Sequence, residues 1–220
     1  MGLKRTLREA LLARGIAAPD FLVPPRQRPL HEELRRLRRG DVVVDLGANV
    51  GRTVALWAAR GCIVHAFEPN PDAFARLLAR TGGLPGVRLH QAAVGGAAGR
   101  ARLFLHHGYQ GDDEDHLESS SLVADKGNVD ATRGVDVEVL DAADVLAAIP
   151  GPIAFVKIDV EGAEYDILRR LIGSEVLDRV ARIAVETHAD RIPSLQAAHA
   201  EIEALIAAGG LGDKIRFGWE

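Results

Sequence analysis

Asp45, Glu68, Asp159 and Glu186 each follow a short apolar run, at the point where the chain leaves it for a polar loop. Open α/β sheets bind their ligands at such carboxyl ends, so these carboxylates are the first candidates for chemistry. The most structured of the loops is Asp45-Leu46-Gly47-Ala48-Asn49-Val50-Gly51. Gly47 lets the strand turn sharply. Gly51, one helical turn on, suits a close approach of backbone to ligand, and exposed amides at a helix start favour an electron-rich group.

The spacing narrows the choice of ligand. A dinucleotide turn reads G-x-G-x-x-G, and here Asn49 and Arg52 stand where its second and third glycines belong. The G-x-x-x-x-G-K-S/T loop that cradles phosphates is also absent. The turn therefore suits a nucleoside without phosphates. Asp45 would repel a pyrophosphate and suits the ammonium of an amino acid. Glu68 ends the second apolar run, at the position from which a carboxylate accepts hydrogen bonds from ribose hydroxyls. Together, an ammonium acceptor, a glycine turn and a ribose acceptor point to S-adenosylmethionine.

Methyl transfer from a sulfonium is an in-line displacement, and a hydroxyl acceptor must also lose a proton. Asp159 ends the fourth run within reach of such a centre, with Lys157 two residues earlier on the same strand face. His188, beyond Glu186 at the end of the fifth run, has the intrinsic pKa of a general base. Asp159 and His188 are thus the catalytic candidates. Glu161 and Glu164 open the following helix, where carboxylates complement the dipole. Asp159, Glu186 and His188 have ligand chemistry for a divalent ion but no recognisable metal spacing, and no metal is assigned. The acidic run at 112–116 lacks the glycine and terminal glutamate of a calcium loop and reads as a solvated segment.

These residues need a scaffold that brings strand ends together. "DVVVDLG" and "CIVHAFEP" are continuous apolar runs, as expected of strands buried on both faces. Helical spacing from Val50 closes at Gly61, and Asn70-Pro71 has the form of an N-cap and first helical residue. A third strand is expected over 87–94. Strands at 101–107 and 134–140 lack a helix between them, which predicts a hairpin-like insertion with a long loop over 108–133. The strand–helix alternation then resumes through 152–160, 162–172, 182–188 and a helix from 193, with a last strand in "DKIRFGWE". The pattern predicts an α/β fold with a doubly wound, mostly parallel sheet.

The net charge of −4 conceals a division. Residues 1–40 carry ten Lys or Arg against four Asp or Glu, so the rest of the chain is acidic. A basic helical arm over 1–40, with an extended proline-rich link, and one globular domain over 41–220 are expected. An acidic body argues against nucleic acid as partner. No apolar run spans a membrane, and "MGLKRTLREALLARG" lacks the form of a secretory signal. The single cysteine, Cys62, excludes a disulfide framework and suits a reducing, cytoplasmic setting.

With "VVDLGANVG", "FEPNP", "AAVGGAAG", "SSSL", "VDVEVLD" and "FVKIDVEGAE", the sequence resembles the FkbM family of class I S-adenosylmethionine-dependent methyltransferases over roughly residues 41–210. The resemblance implies a Rossmann-like sheet of seven strands and O-methylation of a sugar, glycan or natural-product hydroxyl. It implies that Asp45, Gly47, Ala48, Asn49 and Gly51 line the methionine and ribose part of the cofactor. Glu68 would hold the ribose, Pro69 would lie beside the adenine, and the backbone of Ala93 and Val94 would recognise it. Relatives end in two antiparallel strands, whereas this chain has room for one. That leaves a six-stranded sheet or completion by a partner, a homodimer for instance. N-methylation and a non-catalytic cofactor-binding or assembly role are the alternatives.

Overall fold

The computed structural model describes residues 3–106, 129–189 and 192–218. Strand β1 (Val42–Leu46) lies at the centre of the main sheet. Its run of valines alternates between two apolar layers, as a strand covered on both faces must. Val43 packs with Trp57, Val64 and Phe155, while Val44 and Leu46 pack with Val156, Ile158 and Leu168. On one side of β1 stand β2 (Ile63–Phe67) and β3 (Val87–His90), and on the other β7 (Phe155–Ile158), β8 (Ile183–Val185) and β9 (Ile215–Phe217). Every pairing in this sheet is parallel.

Helices cross between the strands and cover both faces. Helix α3 (Arg52–Ala59) follows β1, and α4 (Pro71–Thr81) follows β2. The Asn70 side chain accepts the Asp72 amide at 3.0 Å, with Pro71 in the first turn, so the expected cap is present. On the opposite face lie α5 (Ala142–Ala148), α6 (Glu164–Ile172) and α7 (Gln196–Ala208).

The sheet has six strands among the described residues, one of the two outcomes left open by a chain with room for a single final strand. The chain reaches that strand by a crossover. Helix α7 carries it back across the sheet, and a helical crossover delivers β9 parallel to β8, with Ile183 opposite Ile215. The third strand also differs from the expected 87–94. It ends at His90, and Ala93–Gly95 forms β4 in a second sheet. There β4 pairs in parallel with β6 (Val129–Asp141), which pairs antiparallel with β5 (Gly99–His106). The hairpin insertion is therefore present, with strands longer than expected and a bulge between Phe104 and Leu105. Ala93 leaves the main sheet because its side chain completes a small apolar cluster with Leu103, Val137 and Val139. The expected solvated run at 112–116 and the "SSSL" segment at 119–122 lie outside the described residues.

The N-terminal segment begins with α1 (Leu3–Leu12) and reaches α2 (Arg28–Arg36) through two short 3-10 turns, Asp20–Leu22 and Pro25–Gln27, rather than an extended link. The boundary expected at residue 40 is a change of element and not of core. Leu34 and Leu37 are fully buried in the layer that holds Val43, Trp57 and Phe155. Glu33 binds Arg182 at 2.8 Å, tying α2 to the start of β8. His31 is buried and accepts the Ala18 amide at 2.9 Å. Replacing Leu34 by Ala should therefore cost about 3 kcal/mol of global stability in urea unfolding, the range for emptying a core leucine site. A loss below about 1 kcal/mol would show that α2 lies outside the cooperative core.

Candidate active site

Strand register brings the acidic residues level. Leu46 of β1 lies opposite both Phe67 of β2 and Ile158 of β7, and Ile158 lies opposite Val185 of β8. Gly47, Glu68, Asp159 and Glu186, one residue beyond each strand, therefore form a row along the carboxyl edge. The Asp159 amide donates to the Leu46 carbonyl and the Glu186 amide to that of Ile158, both at 2.9 Å, so the ladder continues into the row.

The glycine turn is closed on itself, which corrects the expectation of exposed amides. Gly47 and Ala48 both donate to the Phe67 carbonyl, at 3.0 and 2.9 Å. Asn49, in the left-handed region at φ 50°, donates its amide to Glu68 Oε2 at 2.9 Å. The Val50 amide goes to Asn49 Oδ1 and the Gly51 amide to the Ala48 carbonyl. The glycines serve packing between elements. A Cβ on Gly47 (φ 86°) would stand 1.7 Å from the Asp159 carbonyl oxygen. One on Gly51 would meet Leu77 of α4 at 2.6 Å, so the missing side chain makes room for that helix. Ala48 is buried among apolar side chains.

Glu68 ties two loops together, taking the Asn49 amide on one oxygen and the Asn70 amide on the other at 2.8 Å. Burial pushes its carboxyl up to about 7, although both amides pull in the opposite direction. Pro69 follows it, half-buried. Ala93 and Val94 are buried in the second sheet, with backbones paired to Val139 and Leu140. They thus belong to β4 and not to β3, whose end the sequence had placed there.

Lys157 is the hub of the row. Its ammonium contacts Asp45 Oδ1 at 3.3 Å, the Gly47 carbonyl at 3.0 Å and Asp159 Oδ2 at 2.9 Å. Asp45 is fully buried and also accepts the Thr53 hydroxyl at 2.9 Å. The ammonium that Asp45 holds is thus that of Lys157. Burial raises the Asp45 carboxyl above its ordinary value, and Lys157 and Thr53 work against that shift. Asp159, with 23% of its side chain exposed, is the member of this group that faces outward.

A second buried group adjoins the first. His188 has no exposed surface. Its Nδ1 lies 2.7 Å from Glu164 Oε1, and the same carboxylate receives the Gly162 amide on both oxygens, at 3.0 and 2.9 Å. Its Nε2 lies 2.9 Å from Glu161 Oε2 and 3.8 Å from Glu186 Oε1. Burial disfavours charge on the ring, but Glu161 and Glu164 outweigh it and hold the imidazole up to about 10. Glu161, in the left-handed region at φ 58°, thus joins Asp159 and His188, and their ligand atoms lie within 4.8 Å of one another. Sequence spacing had paired Asp159 and His188 with Glu186 and left Glu161 as a helix-opening residue. The signal that finds Glu161 is its alternation with Lys157 and Asp159.

Fold and site together define a doubly wound parallel α/β protein whose strand ends present an acceptor-rich, acidic edge. Residues 45–211 match the FkbM methyltransferase domain, and the chain belongs to that family. It is 31% identical over 210 residues to the 31-O-demethyl-FK506 methyltransferase FkbM of Streptomyces tacrolimicus, covering 79% of this chain and 74% of that protein. It is 28% identical over 160 residues to the hexuronic acid methyltransferase AglP of Haloferax volcanii, covering 71% of this chain and 59% of AglP. The chain thus spans about three fifths of AglP's length. Against the crystal structure of Trm5b from Pyrococcus abyssi the TM-score is 0.39 at 14% identity, over 86% of this chain and 42% of that one, a likeness too loose to bear on chemistry.

Two outcomes test the electrostatics. Lys157→Met leaves Asp45 buried without its cation and should cost about 3–5 kcal/mol in urea unfolding at neutral pH. The deficit should shrink in acid, where Asp45 takes up a proton. A deficit under about 1 kcal/mol at neutral pH would remove Lys157 from its central place. The folded chain holds a proton on Glu68 up to about pH 7, against 4.5 for an ordinary glutamate. The stability this contributes is full below pH 4.5 and is lost as pH rises through about 7. Glu68→Gln should flatten that fall in a stability–pH series, and an unchanged slope would refute the assignment.

Proposed function

We propose that this chain transfers the methyl group of S-adenosylmethionine to a hydroxyl oxygen of a sugar, glycan or natural product. The observation that carries the reading is the one-sided chemistry of the row, in a chain of the FkbM family. Its turn amides are used internally, so a pyrophosphate has nothing to bind, whereas carboxylates abound. A cationic, hydroxyl-bearing donor supplies hydrogen bonds and positive charge to match. Glu68 accepts the ribose hydroxyls on the lone pairs its amide donors leave, and the turn from Gly47 to Gly51, with Asp45 behind it, shapes the floor.

When bound, the donor supplies an electrophilic methyl: the S–CH3 bond breaks as the O–CH3 bond forms, and sulfur keeps the electron pair. Asp159 orients the acceptor hydroxyl and takes its proton, while Lys157 steadies the carboxylate from behind. His188 acts from the buried side: with the fully buried Glu164 behind it, its ring places positive charge beside Glu161 at the mouth. We assign the acceptor to the open cleft of about 640 Å³ lined by Gly162, Gly95, Gly96, Val139 and Asp166, which begins one residue beyond Glu161 in the chain. The names of AglP and FkbM, a hexuronic acid methyltransferase and a 31-O-demethyl-FK506 methyltransferase, support an oxygen acceptor.

Calorimetry should detect S-adenosylhomocysteine binding, and its absence would end the cofactor assignment. With that binding intact, Asp159→Asn should lower methyl transfer to a panel of hydroxylated acceptors by roughly 100-fold or more, the scale of lost proton transfer. Turnover on amino acceptors alone would replace O-methylation by N-methylation. Cofactor binding without turnover on any acceptor would leave a non-catalytic binding protein.

A further inference from the structure

Among the described residues, His188 Nε2 is a buried nitrogen with no hydrogen-bond partner, on a ring with no exposed surface. Glu161 Oε2 is close to it at 2.9 Å but lies off the direction of the ring nitrogen. Burying a polar atom unsatisfied is costly, so the position calls for a further partner. What surrounds it is acidic: Asp159, Glu161 and Glu186 stand at the mouth, and the ligand atoms of Asp159, Glu161 and His188 lie within 4.8 Å of one another. An ion with ligand bonds of about 2.1–2.4 Å separates its own ligand atoms by between about 3 and 4.8 Å.

The ring is also oriented from behind as metal-bound imidazoles are. Glu164, fully buried and fixed by the Gly162 amide, receives Nδ1 at 2.7 Å and so directs Nε2 towards the two carboxylates. Lys157 plays the equivalent part for Asp159.

We propose that Asp159, Glu161 and His188 Nε2 bind one divalent cation of the manganese type. Two carboxylates and one imidazole form a mixed oxygen–nitrogen set, which suits such an ion better than magnesium, a cation that favours oxygen alone. The ion takes the place of positive charge at Nε2 and keeps positions open on the cleft side for water or an acceptor hydroxyl. Binding of the ion stands on this geometry alone, while its holding of an acceptor oxygen rests on the methyl-transfer reading.

Mn²⁺ titration of the full chain at pH 8, after treatment with chelator, followed by electron paramagnetic resonance, tests the site. One bound equivalent is expected, with ¹⁴N modulation of the echo signal that disappears in His188→Gln. Glu161→Gln should weaken binding at least tenfold, and Asp159→Asn gives a second variant should the first fail to fold. Absence of saturable binding overturns the proposal, as does binding with no ¹⁴N modulation or unchanged in both carboxylate variants. S-adenosylhomocysteine calorimetry in the presence of chelator separates the two readings. Cofactor binding without Mn²⁺ binding removes the ion alone, and Mn²⁺ binding without cofactor binding removes the methyl-transfer assignment alone.

Discussion

The carboxyl edge of the sheet depends on one ammonium group. Lys157 has three N–H donors, and they meet Asp45, the Gly47 carbonyl and Asp159. Asp45 belongs to β1 and Asp159 follows β7, so a single cation joins the two central strands where the sheet opens. Neither carboxylate alone suffices to explain the arrangement. Asp45 has no access to water, and an isolated buried carboxylate is expensive unless paired. Asp159 is drawn inward by the same charge while keeping an exposed face. Because one lysine serves two carboxylates, and Glu161 and Glu186 stand nearby, the edge retains an excess of negative charge. A cationic ligand is therefore favoured there before any shape is considered.

The main sheet was legible in the sequence because its signals are local. Uninterrupted runs such as Val42–Val44 are what burial on both faces demands, and Asn70-Pro71 announces a helix without reference to anything distant. The hairpin insertion was legible for a similar reason, since strands without a helix between them must pair antiparallel or leave the sheet. The features that escaped are those set by distant residues. The destination of the turn amides depends on Phe67 and Glu68, which only the pairing of β1 with β2 brings within reach. Ala93 looked like a continuation of β3, yet a small core supplied by Leu103 and Val137 draws it elsewhere. Basic residues around α2 masked Leu34 and Leu37, whose burial needs Trp57 and Phe155 opposite them.

The candidate site divides along the same line. Spacing identified Glu68 and Asp159 as strand-end carboxylates, and both stand in the row. It gave Asp45 to a ligand's ammonium, although a lysine 112 residues away already supplies one. It gave His188 the part of a free base, although the ring is enclosed by Glu161 and Glu164 and carries positive charge well above neutral pH. In both cases the residue type was read correctly for its chemistry. The partner that uses that chemistry is intramolecular, and no periodicity reports it.

The stretch Lys157-Ile158-Asp159-Val160-Glu161-Gly162-Ala163-Glu164 shows how much of the site one short segment encodes. Strand alternation puts Lys157 and Asp159 on one side, where they meet β1, while Ile158 faces the core. Past the strand the chain must turn without losing that side, and Glu161 does so in a left-handed conformation that few residues adopt. Gly162, at φ 124°, permits the next reversal and offers its amide to Glu164. Glu164 then begins α6 and, held by that amide, fixes His188 from the neighbouring strand end. Each residue constrains the next: the lysine sets the aspartate, the turn sets Glu161, and the glycine sets the glutamate that sets the histidine. A single segment thus joins β1, β7, α6 and the chain beyond β8, which is why both buried charge groups of the edge converge on it.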